Sequence, residues 1–199
     1  MFTGIVQATG KITAIHTSSA TPESSLALTI DPGSLDLSDV NLGDSIAVDG
    51  VCLTVKSLAN QLIHFDVSEE TLRCTQGLNR VGKTINLEKA LRLADRLGGH
   101  LVSGHIDAIG IVTQYTPAGE SVILDIEVPS AIARFLTHKG SVTVDGVSLT
   151  INQIIDNTFS VNLIPHTLTV TTLGQLQLGS QVNLETDMLA RYVARLLNI

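Results

Sequence analysis

The chain repeats itself. AVDGVCLTV at 47–55 is answered by TVDGVSLTI at 143–151, identical at six of nine positions and displaced by 146 − 50 = 96 residues. Such self-similarity constrains the architecture before any single element does, because two copies of one segment order fold as two copies of one unit. The remaining segments keep step: FTGIVQATG at 2–10 answers VSGHIDAIG at 102–110, EETL at 69–72 answers PHTL at 165–168, and VGKTINLE at 81–88 answers LGSQVNLE at 178–185. Each half holds about 90 residues in the same internal order.

Within a half, the segments are short, rich in Val, Ile and Thr, often alternate polar with apolar, and are punctuated by Gly, Asp-Gly and Asn-Gln. They read as antiparallel strands. Asp49-Gly50 can turn a hairpin, or Gly50 can admit a ligand or a second backbone at close range. Small all-β units remove their open edges by curling shut. The expected fold is therefore all-β, two tandem similar six-stranded antiparallel Greek-key barrels plus a C-terminal α-helix. The boundaries are 1–97 for an N-terminal barrel with a linking helix, 98–187 for the second barrel and 188–199 for the terminal helix. The linking helix rests on Leu87, Ala90, Leu91 and Ala94 at helical spacing and stops at Gly98-Gly99. One further short helix is expected where Pro129-Ser130 opens AIARFL, with a less regular counterpart at Asp31-Pro32. From residue 188, Leu189, Tyr192, Val193, Leu196 and Leu197 share one stripe, with Arg191 and Arg195 off it; the stripe must pack on a barrel or on copies of itself.

Composition narrows the classes. With 12 Lys+Arg against 19 Asp+Glu the formal charge is −7, which supplies no basic face for phosphate. Aromatics make up 3% and Trp is absent, so a base-stacking barrel of the oligonucleotide-binding type is disfavoured as well. Apolar residues at 44% provide for a core and exclude general disorder. Cys52 and Cys74 are read as free thiols, since a unit of this size needs no disulfide. MFTGIVQATGKIT lacks a basic stretch followed by an apolar run, and no segment reaches 18 uncharged apolar residues, so the reading is a cytoplasmic protein with no membrane partner.

A pure duplication offers two like pockets and performs no asymmetric chemistry. The informative positions are those where matched residues differ in chemical type. Cys52 answers Ser148, each followed by Leu-Thr, so alternation puts Cys52 with Thr54, and Ser148 with Thr150, on one strand face; inert packing of small side chains is the alternative. Ile5 answers His105, which gives one copy alone a side chain able to move protons near neutral pH; a hydrogen-bonded structural histidine is the alternative. His100, five residues earlier, hints at a metal pair, but neither thiol lies at a usual ligand spacing and no metal site is expected. Lys139 before Gly140 contrasts with Leu42 before Gly43, bringing positive charge to one pocket entrance or simply to solvent. Asp49 and Asp145 match and read as turn or strand-end acceptors.

These motifs together resemble the riboflavin synthase family over the whole chain: MFTGIV, GDSIAVDGVCLTV, GGHLVSGHID, KGSVTVDGVSLTI and FSVNLIPHTLTVTTLG stand in that family's order. The resemblance implies two antiparallel barrels, a C-terminal helix that builds a homotrimer, and a cofactor-free dismutation of two molecules of 6,7-dimethyl-8-ribityllumazine. It also implies association with lumazine synthase, and one substrate in an N-terminal barrel facing another in the C-terminal barrel of a neighbouring subunit. His105 is then the candidate base or proton relay, and Cys52 a positioning group or a nucleophile near the second substrate. Ser148 and Thr150 would orient the partner substrate, while Ser45, Asp145 and Lys139 would supply hydrogen bonds and charge. Substrate contacts carried over on the same basis come from Gly4, Ile5 and Val6, from Leu53 and Thr54 beside Cys52, from Gly104 and Ile106 around His105, and from Leu149 beside Ser148. Two matched loops complete the set: Asp66, Val67, Ser68, Glu69, Glu70 and Thr71 in the first half, and Asn162, Leu163, Ile164, Pro165, His166 and Thr167 in the second. Asp49 and Ser103 depart from the family pattern, which favours Asn and Gln there. The rival reading is a non-catalytic lumazine- or riboflavin-binding antenna protein of the same fold, which would carry a degraded second site.

Overall fold

The computed structural model describes residues 1–17 and 26–198. Strands β1 (Ala8–Thr17), β2 (Leu26–Asp31), β3 (Ser45–Val48), β4 (Val51–Ala59), β5 (Leu62–Val67) and β6 (Thr84–Lys89) close in the order β1-β2-β5-β4-β3-β6. The second half repeats that cycle with β7 (Ala108–Ala118), β8 (Ser121–Glu127), β9 (Ser141–Val144), β10 (Val147–Ile155), β11 (Thr158–Leu163) and β12 (Gln181–Thr186). The duplication extends to irregularities. The bulge between Val55 and Ser57 in β4 recurs between Ile151 and Gln153 in β10, and that between Ile12 and Ala14 in β1 recurs between Val112 and Gln114 in β7. Bulges bend and twist a strand, so matched bulges give the two barrels matched curvature.

Each barrel fills with its own alternate side chains. Ile12, Leu28, Ile30, Ile46, Ile63, Phe65 and Leu87 are buried in the first, and Leu124, Ile126, Val142, Phe159, Val161 and Leu184 in the second. Asp49-Gly50 and Asp145-Gly146 join β3 to β4 and β9 to β10 with two consecutive positive-φ residues, the backbone that a two-residue hairpin requires. Both sequence readings of Gly50 hold at once, because the two hairpin tips abut. A β-carbon on Gly50 would lie 2.8 Å from the Gly146 nitrogen, and one on Gly146 2.7 Å from the Gly50 nitrogen.

The expected linking helix is absent. Leu87 belongs to β6, Ala90 N–H donates to the Ser45 carbonyl and Leu91 N–H to that of Met1, so these backbone groups are already committed to extended partners. Arg92–Asp95 is a single turn, closed by the Asp95 amide on the Arg92 carbonyl, and Leu93 is fully exposed. Two short helices were not read from the sequence: α1 (Glu69–Cys74), capped by Ser68 with Glu69 and Glu70 in its first turn, and α3 (Pro165–Val170), opened by a proline. The helix expected after Pro129 is present as α2 (Ser130–Ala133), and Asp31-Pro32 leads into a turn.

The terminal helix α4 (Met188–Leu197) forms as expected, with the Asp187 carboxylate accepting from the Leu189 amide. Its own barrel holds it by the face bearing Ala194 and Arg191, the latter paired with Asp107 at 2.9 Å. The apolar stripe is not packed on a barrel of the same chain: Leu189, Tyr192, Val193, Leu196 and Leu197 are between 52% and 81% exposed.

Contact between the hairpin tips generates the first prediction. Gly146→Ala is expected to cost about 2–4 kcal/mol, from a strained positive φ together with collision against the Gly50 backbone. Gly119→Ala, with similar φ but open space around it, should cost only about 1 kcal/mol; chemical denaturation of both variants measures the difference.

Candidate ligand-binding grooves

Alternation along β4 turns Val51, Leu53 and Val55 inward and Cys52, Thr54 and Lys56 outward. On β10 it turns Val147, Leu149 and Ile151 inward and Ser148, Thr150 and Asn152 outward. Leu53 and Leu149 thus give the core their side chains and the barrel surface only their backbone, as do Val67 and Leu163. Ser45 lies opposite Thr54, and Ser45 also borders a cavity of about 660 Å³ beneath the connector that follows β6.

An arm preceding each barrel completes the arrangement, and the arms cross. Phe2 and Val102 pair with each other through two backbone hydrogen bonds, 2.7 and 3.1 Å long. Beyond that crossing, the Gly4 carbonyl accepts from Ser148 N–H on the second barrel, and the Gly104 carbonyl accepts from Cys52 N–H on the first, each at 2.8 Å. Both glycines have positive φ and leave no room for a side chain, since an added β-carbon would meet that of Ser148 or Cys52 at 2.6 Å. Val6 accordingly packs against the second core and Ile106 against the first. The consequence for chemistry is an exchange of residues: exposed His105 follows the glycine that pairs with Cys52 on the first barrel, whereas exposed Ile5 follows the one that pairs with Ser148 on the second.

Two glutamates hold the arms, and sequence reasoning passed over both. Glu88 on β6 accepts from the Thr3 amide and hydroxyl at 2.7 and 2.6 Å and from the Gly4 amide at 3.0 Å. Glu185 on β12 accepts from the amides of Ser103, Gly104 and His105 at 2.7, 2.8 and 3.2 Å. Burial raises the pKa of Glu88, and the donors from Thr3, Gly4 and Ile5 oppose that pull. The signal was present in the Asn-Leu-Glu triplet common to both halves, read only as repetition.

The matched loops flank these strands. Asp66 lies outside the first barrel, paired with Lys56 at 2.8 Å, and Ser68 to Thr71 form the cap and first turn of α1, where Glu70 pairs with Arg73. In the second barrel Asn162 is exposed, Ile164 caps α3, and Pro165, His166 and Thr167 form its first turn. Lys139 Nζ donates to Asn152 Oδ1 at 3.2 Å. Its register differs from the sequence reading: Lys139 N–H bonds to the Ile151 carbonyl as Gly43 N–H bonds to that of Val55, so Lys139 answers Gly43 rather than Leu42. It holds a φ of 62° where the first half uses glycine.

Asp145 lies in neither groove. It sits at the barrel interface with Asp49, and both are buried. Asp49 accepts from Asn86 N–H at 2.7 Å and pairs with Lys83 at 2.7 Å. Asp145 accepts from Asn183 N–H at 2.8 Å and meets the Gln76 side chain, but at the place of Lys83 the second half has Ser180. One cation thus serves two buried carboxyls. Burial and, after it, the charge of Asp49 push the Asp145 pKa up to about 8. Among the described residues no cluster of three or more His, Cys, Asp or Glu is arranged to hold a metal.

Two tandem closed barrels, each with a strand of small outward polar groups overlaid by the arm of the other, define a duplicated small-ligand-binding protein. The profile of the lumazine binding domain matches residues 3–90 and 103–187, and the chain belongs to that family. It is 46% identical over 198 residues to the riboflavin synthase of Photobacterium phosphoreum, covering 99% of this chain and 89% of that one. It is 40% identical over 200 residues to the riboflavin synthase of Bacillus subtilis (strain 168), covering 100% and 90%. Among solved structures, LumP complexed with riboflavin superposes with a TM-score of 0.83 at 28% identity over 94% of this chain and 99% of that one. LumP complexed with 6,7-dimethyl-8-(1'-D-ribityl) lumazine gives 0.80 at 27%, with the same coverage.

The unequal carboxyl pair predicts a pH effect. An acid whose folded pKa lies above its unfolded value near 4 binds its proton more tightly when folded, so stability falls as pH rises from about 4 towards 8. Asp145→Asn, which keeps the acceptor for Asn183 N–H, is therefore expected to raise the thermal midpoint over wild type more at pH 8.5 than at pH 5. A constant gap across calorimetric scans would mean that Asp145 titrates normally.

Proposed function

We propose that the chain catalyses the riboflavin synthase reaction, in which two molecules of 6,7-dimethyl-8-ribityllumazine exchange a four-carbon unit to give riboflavin and 5-amino-6-ribitylamino-pyrimidinedione. The observation that carries this reading is full-length similarity to enzymes of that name, joined to two equivalent grooves with unequal polar equipment. A dismutation needs that combination: like ligands bound twice, and treated differently.

The C7 methyl of the lumazine is acidic because its carbanion delocalises into the ring, and a base of near-neutral pKa suffices to deprotonate it. His105, exposed at the edge of the first-barrel groove, is assigned that proton. Cys52 beside it contributes a polar contact, Ser148 and Thr150 hold the second lumazine, and Lys139 supplies charge at that groove's rim. Much of the acceleration then comes from holding two substrates in register. The exposed stripe of α4 is assigned to contact between copies in a homotrimer, which brings the first-barrel groove of one subunit against the second-barrel groove of the next. In the antenna reading the second groove degenerates, whereas here Ser148 and Thr150 remain as an outward polar pair.

Two experiments test the assignment. Purified protein mixed with the lumazine and no added cofactor is expected to form one riboflavin per two lumazines consumed, followed by absorbance; ligand fluorescence changes without turnover would favour the antenna reading. In this assay His105→Ala and Ser148→Ala should each lower turnover by roughly 10²-fold or more, whereas Asp49→Asn, at the barrel interface, stays within a few-fold of wild type. Separately, Leu196→Asp places a charge in the α4 stripe and should convert the assembly to monomers in analytical ultracentrifugation, with turnover lost in step. A monomeric wild type, or a variant that stays assembled, would remove the shared-site argument.

A further inference from the structure

His100 has no role in the chemistry above, yet among the described residues it is the ionisable side chain hydrogen-bonded to Ser148. Its Nδ1 lies 2.8 Å from Ser148 Oγ, and its backbone N–H donates to the Thr3 carbonyl at 3.1 Å. The chain is shaped to put it there. Gly99 passes so close that a β-carbon would sit 2.2 Å from the Thr3 carbonyl oxygen and 2.9 Å from Ser148 Oγ, so no side chain fits beside that hydroxyl from the preceding residue.

Among the described residues, the Cys52 thiol at the matched position makes no such bond to an imidazole. The ring is also expensive to keep. Only 9% of His100 is exposed, and its Nε2 is buried with no hydrogen-bond partner among the described residues. An unpartnered buried nitrogen destabilises a fold, and an apolar side chain of like size would avoid the loss. A purely structural role accounts poorly for a histidine whose one side-chain bond among the described residues goes to the Ser148 hydroxyl. Burial holds the ring below the usual histidine pKa against the pull of Asp187 and Glu185, so the neutral ring faces Ser148 at neutral pH.

We propose that His100 is the positioning residue of the second groove, fixing the Ser148 hydroxyl through Nδ1 so that its remaining hydrogen-bonding directions point at the bound lumazine. The inference rests on the function proposed above. In either tautomer the ring occupies one direction of Oγ and leaves the others to the ligand. His105 and His100 then divide the work between grooves, one exposed for proton transfer, one buried and fixed for orientation.

A double-mutant cycle on the full-length protein tests this, with lumazine turnover and its kcat and KM as the readout. His100→Ala is expected to lower kcat by about tenfold, the worth of one oriented hydrogen bond, with KM changed by less than about twofold. In a Ser148→Ala background the same substitution should cost nothing further. His100→Asn, whose amide reaches the place of Nδ1, should restore most of the loss, and His100→Gln, whose amide extends past it, should not. Should His100→Ala fail to fold, the Asn and Gln variants decide the matter alone. Equal losses in both backgrounds, equal behaviour of Asn and Gln, or no effect of His100→Ala would each overturn the positioning role while leaving the function intact. A wild type without turnover would overturn the function and this inference with it.

Discussion

Two asparagines tie the barrels together, and the grooves depend on that tie. Asn86 belongs to the last strand of the first barrel but donates its side-chain amide to the Asp145 carbonyl at 2.9 Å, and Asn183 in the second barrel returns the bond to the Asp49 carbonyl at 3.1 Å. Their carbonyl oxygens accept from Thr172 N–H and Gln76 N–H, both at 2.8 Å. Each amide thus satisfies backbone groups that closure of the separate barrels leaves unpaired in a buried place, where an unmade hydrogen bond costs about 1–3 kcal/mol. With the hairpin tips pressed glycine to glycine at the same spot, the two units have a single relative placement, and the crossed arms reach their targets on opposite barrels.

Within this near-symmetric frame the departures from symmetry are few and local. Lys83 opposite Ser180 leaves Asp145 without a cation of its own, His105 opposite Ile5 sets an imidazole against an apolar side chain, and Cys52 opposite Ser148 sets a thiol against a hydroxyl. Backbone hydrogen bonds at the matched positions are the same in both copies, so the side chains changed while the scaffold stayed fixed. That is the economical route to unequal sites, because matched bulges and turns keep both strands aimed alike.

The repeat, the strands, the Asp-Gly turns and the amphipathic end were legible because each is written in neighbouring residues. What was missed depends on contacts between distant ones. Leu87, Ala90, Leu91 and Ala94 have helical spacing, but β6 and the carbonyls of Ser45 and Met1 recruit that stretch first. Exchange of the arms leaves no local trace, so Ile5 and His105 were compared as occupants of equivalent sites without it being evident which strand each would border. Lys139 was misaligned by one residue because identical Gly letters drew Gly43 onto Gly140, whereas the backbone hydrogen bonds align Gly43 with Lys139. His100 could have been found from its position two residues before the crossing point, but only once the crossing was known.

The crossing also bears on how the molecule comes into being. A ribosome releases the first barrel, through Lys89, before residues 102–106 exist outside the exit tunnel, so that barrel waits with the amide of Cys52 unpaired and Ile106 missing from its edge. The second barrel has no such wait for its arm, because residues 2–6 precede it in the chain and stand ready when β10 appears. Synthesis order alone therefore finishes the earlier-born cradle once residue 106 emerges, 186 − 106 = 80 residues before the last strand closes the other.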